Sequence, residues 1–83
     1  MHRKHKRNSE MAIIKEEERL RIGRRIAEMR KEQGLTQTQL AEQCGLQQAH
    51  IARIETGKYS VGIDTLSQIA DALNAKVDLI INQ

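Results

Sequence analysis

The side chains best suited to recognising another molecule lie within residues 47–53, which read QQAHIAR. A glutamine amide can form two hydrogen bonds with the edge of an adenine, and an arginine guanidinium can do the same with guanine. A methyl group such as that of Ala49 can contact the methyl group of thymine. Such groups recognise a sequence only when a rigid element presents them together, so the surrounding elements decide their use.

Two short helices are predicted around this segment, separated by Gly45 and Leu46. Thr36 is expected to cap the first helix, over residues 37–44, because its hydroxyl can accept a hydrogen bond from a backbone N–H near Gln39. The second helix is expected to begin at Gln47 or Gln48 and to end near residue 56. Gly45 and Gly57 are the predicted stops of the two helices. Neither helix is long enough to be stable alone. We interpret the pair as a helix-turn-helix, a motif that holds its second helix out from the body of the domain. The inner faces are predicted to hold Leu40, Ala41, Cys44, Ile51 and Ile54.

The outward face of the second helix follows from the 100° step between successive residues. With Ile51 directed inward, Ala49, Arg53 and Thr56 lie on the opposite side. His50 and Ala52 lie on the flanks, and Gln47 and Gln48 project from the helix N-terminus.

Two further helices are predicted to complete the domain. The first covers about residues 15–33, ends at Gly34, and carries an apolar stripe of Ile22, Ile26 and Met29. Gly23 lowers the stability of a helix by about 1 kcal/mol relative to Ala, so we expect another element to pack closely against it. The last helix covers about residues 64–73, with Asn74 as its stop and Leu66, Ile69, Ala70 and Leu73 inside.

The two ends of the chain are interpreted differently. Residues 1–10 lack hydrophobic periodicity and are predicted to be a disordered basic arm, which either touches nucleic acid or remains solvated. Residues 76–82 alternate Val77, Leu79 and Ile81 with other residues and are predicted to form a β-strand. The alternative is a fifth helix. Since no second strand is predicted in the chain, we expect antiparallel pairing with the same strand of a second copy.

Composition excludes several classes of function. The aliphatic runs are far shorter than the roughly 20 residues of a membrane helix, so we expect a cytoplasmic protein. The single Cys44 cannot form an internal disulfide, and the three histidines and the carboxylates lack the spacing of a catalytic or metal site. We therefore expect neither an enzyme nor a bound metal or cofactor. Tyr59 is the only aromatic residue, too few for a single-strand stacking platform.

Charge is distributed unevenly along the chain, whose formal net charge is +3. Residues 19–58 hold eight basic and four acidic residues, a net charge of +4, whereas the chain from Tyr59 onward has a net charge of −2. The segment that contains the two short helices therefore suits a polyanionic partner.

The stretch IGRRIAEMRKEQGLTQTQLAEQCGLQQAHIARIETGK resembles the phage-repressor and Cro-type helix-turn-helix family, also called the XRE family. The resemblance covers about residues 22–73. It rests on Thr36-Gln37, Leu40-Ala41, Gly45, Ile51, Ile54-Glu55 and Gly57-Lys58 at the family's spacing. The resemblance implies an all-α, lambda-repressor-like bundle of four to five helices. To this we add the short C-terminal strand for dimerisation.

The resemblance also implies roles for individual residues. Arg30 is expected to pair with Glu55, joining the first helix to the third. Gln48 and Arg53 are the first choices for DNA base contacts, followed by Gln47, Ala49 and His50. Phosphate contacts are expected from Gln37, Lys58, Tyr59 and Ser60. This chain departs from the family at Gln47, where Ser or Thr often caps the third helix.

The function predicted from the sequence is that of a sequence-specific, double-stranded DNA-binding transcriptional regulator, a repressor acting as a homodimer. Its domain organisation would be a basic arm at residues 1–10, a DNA-binding domain at 11–75 and a dimerisation strand at 76–83. One alternative is an antitoxin that binds a toxin protein and represses its own operon. Another is an interaction module that has the fold without DNA binding.

Overall fold

A computed structural model of the chain describes residues 8–80 and contains four α-helices over that range. They are α1 (Asn8–Glu32), α2 (Gln37–Cys44), α3 (Gln48–Glu55) and α4 (Ile63–Ala72). Helix α3 packs against both α1 and α2, and α4 packs against α2. The predicted all-α fold and helix-turn-helix are therefore confirmed, and the helices predicted over residues 37–44 and 64–73 agree within one residue.

The core is aliphatic, as the near absence of aromatic residues requires. Leu40, Ile51 and Ile69 are completely buried and come from α2, α3 and α4, so the three short helices meet at one centre. Burial raises the pKa of the Cys44 thiol, in keeping with a small apolar role for this residue. The remaining core residues are Ile26, Ala41, Ile54 and Leu73.

Each helix ends in the same way, with one residue in the left-handed region followed by a hydrogen bond back across the last turn. At the end of α1, Gly34 has φ +72° and the Leu35 N–H donates to the Arg30 carbonyl over 3.0 Å. This is the Schellman arrangement, which satisfies carbonyls that a helix end leaves open. The corresponding stops of α2, α3 and α4 are Gly45, Gly57 and Asn74, all predicted from the sequence.

Gly23 lies at a close approach between α1 and α3. A Cβ at this position would overlap the carbonyl oxygen of Ile54 and come within 2.7 Å of the carbonyl oxygen of Glu55. The absence of a side chain therefore sets the distance between the two helices. The prediction that another element packs against Gly23 is confirmed.

The beginning of α1 differs from the prediction. The helix starts at Asn8, seven residues before the predicted start, so residues 8–10 are helical and not part of a disordered arm. Glu10 in the first turn interacts favourably with the helix dipole. Apolar residues 11–14 extend the helix, and Ile14 reaches a groove beside Ile54 and Leu66. The rest of the predicted arm, residues 1–7, lies outside the described residues.

The C-terminal segment also differs from the prediction. Residues 75–80 adopt neither the predicted strand nor the alternative fifth helix. A strand needs a neighbour for its ladder of hydrogen bonds, and the described part of this chain contains no other strand. Leu79 and Ile80 are 95% and 86% exposed. Ile81, the third residue of the predicted apolar strand face, lies outside the described residues.

Residues 8–80 contain neither a membrane-spanning helix nor a cluster of metal ligands. None of the helices there is both long enough and apolar enough to span a lipid bilayer. No cluster of three or more His, Cys, Asp or Glu residues in that part of the chain could hold a metal ion.

Candidate nucleic-acid interface

Helix α3 is held on the bundle by one face and leaves the other face open. Ile51 and Ile54 are buried on the inner side. Gln47, Gln48, Ala49 and Arg53 are exposed. Four of the five residues predicted for base contact are therefore exposed on, or just before, a short helix that the rest of the domain supports, and the fifth, His50, is half-buried.

Helix α3, predicted to begin at Gln47 or Gln48, begins at Gln48. Gln47 is the N-cap, with extended backbone (φ −88°, ψ 149°), and its side chain makes no capping hydrogen bond within the described chain. In α2, by contrast, Thr36 accepts a hydrogen bond from the Gln39 N–H over 3.0 Å, and the Gln39 side chain accepts one from the Thr36 N–H. This capping box fixes α2 firmly, whereas the amide of Gln47 remains available at the tip of α3.

A buried ion pair joins α1 to α3. Arg30 Nε donates to Glu55 Oε2 over 2.6 Å, and Arg30 Nη2 donates to Glu55 Oε1 over 3.0 Å. The two side chains are only 10% and 5% exposed. Arg30 Nη1 also donates to the Leu35 carbonyl over 2.8 Å, and the hydrogen bonds that Arg30 donates to Glu55 raise the pKa of Arg30 above its usual value. The pair is bidentate, the geometry in which Arg and a carboxylate interact most specifically.

Hydrogen bonds extend from this ion pair to the surface. Gln37 Nε2, at the start of α2, donates to Glu55 Oε1 over 3.0 Å. Gln48 Nε2, at the start of α3, donates to Gln37 Oε1 over 2.7 Å. The result is a chain of four hydrogen-bonded side chains that runs from the core to the exposed face of α3: Arg30, Glu55, Gln37 and Gln48. The sequence predicted the first pair but not the two bonds that continue it.

The loop after α3 is anchored from α1. Arg19 Nε donates to the Gly57 carbonyl over 3.2 Å. The Leu20 side chain packs so closely on Gly57 that a Cβ there would come within 2.8 Å of a Leu20 methyl carbon. The next three residues, Lys58, Tyr59 and Ser60, are exposed. Sequence reasoning missed Arg19, because its distance from Gly57 along the chain carries no periodic signal.

His50 and Tyr59 join this loop to α3. Their rings meet edge to face, with centroids 4.7 Å apart and planes at 89°. His50 Nε2 is buried and has no hydrogen-bond partner among the described residues. Both rings line a shallow concavity of about 430 Å³ together with Gln47, Ala49 and Arg53. The structure thus brings together four of the residues predicted for base contact and Tyr59, which was predicted for phosphate contact.

The chain is similar to known proteins both in sequence and in fold. The profile of the helix-turn-helix family matches residues 26–80. The chain is 40% identical over 62 residues to the immunity repressor protein of Bacillus phage phi105. The match covers 75% of this chain but only 43% of that repressor, so the chain corresponds to less than half of its relative's length.

Solved structures give the same picture of the fold. The restriction-modification controller protein C.AhdI from Aeromonas hydrophila superimposes with a TM-score of 0.71 and 28% identity, over 74% of this chain and 88% of the other. A chain of a toxin-antitoxin module from Streptococcus pneumoniae superimposes with a TM-score of 0.66 and 32% identity, over 88% and 80% of the two chains.

Proposed function

Because the chain belongs to the helix-turn-helix family, we propose that it binds a specific sequence of double-stranded DNA and represses transcription from it. The observation that carries this proposal is the exposed polar face of α3, held in place by the bidentate Arg30–Glu55 pair. In this family, the second helix of the motif lies in the major groove with its N-terminal residues against the base edges. The similarity to a phage immunity repressor supports repression as the outcome.

Gln48 is the side chain best prepared to read a base. Its amide nitrogen has two hydrogens, of which one is bonded to Gln37. The second hydrogen and the carbonyl oxygen remain for N7 and N6 of an adenine. Gln48 can therefore form the bidentate contact without releasing Gln37, and its orientation is set before DNA arrives. Arg53 would read guanine, with Gln47 and Ala49 completing the base contacts.

Phosphate contacts would flank the recognition helix on both sides. Gln37 lies at the N-terminus of α2, where backbone N–H groups and the helix dipole favour an anion. Lys58, Tyr59 and Ser60 are exposed in the loop beyond α3. Such contacts position a protein on the duplex and carry little sequence information.

We further propose that the DNA-binding form is a homodimer, paired through Val77, Leu79 and Ile81. The supporting observation is the exposure of Val77 and, above all, Leu79. A dimer of this kind would read two half-sites about 34–36 Å apart. A chain truncated after Lys76 should then sediment as a monomer, whereas a truncated chain that remains dimeric would show that the interface lies elsewhere.

Selection of bound duplexes from a random pool, followed by titration, tests the main proposal. The intact chain should enrich one motif, repeated as an inverted pair if the dimer is correct. Gln48→Ala and Arg53→Ala should each relax the preference at one base pair, and each should cost about 1–3 kcal/mol on the preferred site. Gln43→Ala, an exposed residue of α2, serves as the control. Failure of the intact chain to enrich any motif at low salt would refute sequence-specific binding.

The similarity to a toxin-antitoxin module favours one second candidate function, that of an antitoxin. In that case the chain would bind a toxin protein and also repress its own operon. Co-expression with the product of the adjacent gene distinguishes the two functions. An antitoxin should co-purify with that product and restore growth, whereas a repressor alone should do neither.

A further inference from the structure

We propose that His50 is a positioning residue for Tyr59 and does not read a base. The proposal rests on the DNA binding proposed above and assigns a role to one side chain at the edge of the recognition face. It replaces the prediction, made from the sequence, that His50 contacts DNA bases directly.

The imidazole of His50 is only partly accessible. A histidine that reads a base must bring a ring nitrogen to the surface, where it can donate or accept a hydrogen bond. Nε2 of His50 is buried and has no partner among residues 8–80, so this nitrogen is not available to a base, and only Nδ1 could reach one. The residue as a whole is half-buried, unlike Gln47, Gln48, Ala49 and Arg53, which are exposed on the same surface.

The imidazole of His50 packs against Tyr59. Its ring meets the ring of Tyr59 at 89° with centroids 4.7 Å apart, within the range of a favourable edge-to-face pair. Tyr59 is 44% exposed, so one side of its ring is held while the remainder is open to solvent. The contact restricts the ring and therefore the direction of its hydroxyl, which is the group able to bond a phosphate oxygen.

The loop after α3 is held at two points. Arg19 on α1 bonds the Gly57 carbonyl, and His50 on α3 contacts Tyr59 two residues later. The loop is thereby tied both to the bundle and to the recognition helix. A phosphate bonded by Tyr59 would keep a fixed distance from the bases that α3 reads, which sets the register of the helix in the groove.

The experiment compares binding of wild type, His50→Ala, His50→Phe and Tyr59→Phe to the selected duplex and to single-base variants of it. His50→Ala should weaken binding by about three- to tenfold, by a similar factor on every duplex. His50→Phe keeps a ring at this position and should bind as wild type does, with unchanged base preference. Its thermal unfolding midpoint should be equal or higher, because a buried nitrogen without a partner is removed.

The double variant His50→Ala with Tyr59→Phe separates positioning from general stability. Tyr59→Phe keeps the ring contact and removes only the hydroxyl. If His50 acts through that hydroxyl, His50→Ala should cause no further loss of affinity in the Tyr59→Phe background. A purely structural effect would lower affinity equally in both backgrounds and would overturn the proposal.

Two other outcomes are equally decisive. If His50→Phe relaxes the preference at one base pair, His50 reads a base and the inference is wrong, although the proposed function holds. If wild type binds no duplex more tightly than a scrambled one, while its fold is intact by circular dichroism, then the proposed function fails and the inference fails with it. Gln48→Ala, measured in parallel, is the reference for the loss of a base contact, which relaxes the preference at one base pair.

Discussion

Glu55 is the residue on which the helix-turn-helix geometry depends most. Its carboxylate accepts two hydrogen bonds from Arg30 on α1 and one from Gln37 on α2, although Glu55 itself belongs to α3. Three helices therefore meet at one nearly buried charge. An unpaired charge in such a site is very unfavourable. The need to pair the Glu55 carboxylate therefore restricts how α1, α2 and α3 can pack together.

Glu55→Gln should destabilise the domain strongly, since it leaves the Arg30 guanidinium without its counter-charge. Loss of one partner from a buried pair costs about 3–5 kcal/mol, and the retained amide oxygen places this variant near the lower end. Urea unfolding measures the change. Glu42→Gln, an exposed residue of α2, is the control. A loss for Glu55→Gln no larger than that of the control would mean that solvent compensates the Arg30 charge.

Helix packing gives the clearest prediction for an element. Gly23→Ala should destabilise the domain by about 1–3 kcal/mol through overpacking, even though Ala is the better helix former by about 1 kcal/mol. The reason is that the new methyl group would meet backbone carbonyls of Ile54 and Glu55, which cannot move aside as a flexible side chain could. The variant should also weaken DNA binding, because α3 must tilt away from α1.

Thermal unfolding of Gly23→Ala and of Arg24→Ala tests this prediction. Arg24 lies next to Gly23 on the exposed side of the same helix. Its substitution should change stability by less than about 0.5 kcal/mol. If Gly23→Ala is as stable as wild type or more stable, the two helices can separate freely and Gly23 does not set their distance.

The capping box of α2 allows a matched comparison within one element. Thr36→Ala removes the hydroxyl that accepts from the Gln39 N–H and should cost about 1 kcal/mol. Thr38→Ala, two residues later on the exposed face of α2, removes the same group without a capping role. Chemical denaturation should therefore separate the two variants. Equal effects would indicate that the cap contributes little once α2 is packed.

The charge of the whole molecule predicts how binding should respond to salt. Residues 19–58 carry a net charge of +4, and the chain from Tyr59 on carries −2. Lys58→Ala should weaken binding to all duplexes alike. It should also reduce, by about 1, the steepness with which the logarithm of the association constant falls with the logarithm of the salt concentration. Lys76→Ala, placed beyond α4, should leave the slope unchanged. Similar slopes for both variants would mean that Lys58 does not contact a phosphate.

Most of the fold could be predicted because it is encoded locally. Gly34, Gly45, Gly57 and Asn74 mark the ends of the four helices, and all four adopt positive φ. Thr36 marks the start of α2 for a similar reason, since its cap is made within three residues. The start of α1 was predicted seven residues too late, because residues 8–14 lack the apolar repeat that identified the rest of that helix.

The sequence was enough to predict which residues of α3 are exposed at the candidate site, but not which side chains there contact one another. Helical periodicity places Arg53 and Ala49 opposite the buried Ile51, and the structure leaves both exposed. Periodicity says nothing about which neighbour a flexible side chain will bond. The bond between Gln48 and Gln37 and the ring contact between His50 and Tyr59 each cross from one element to another, so no pattern within either element reveals them.

The sequence by itself therefore determined the presence of the four helices, their C-terminal ends and the identity of the exposed face of α3, since these follow from short-range hydrogen bonding and apolar periodicity. Only the tertiary structure decided which polar side chains bond to one another. It joined Gln48 to the buried ion pair through Gln37, and it turned Nε2 of His50 away from the surface beside Tyr59. The physical reason is that hydrogen bonds and ring contacts between elements depend on distances of a few ångströms. Those distances exist only after the helices have packed.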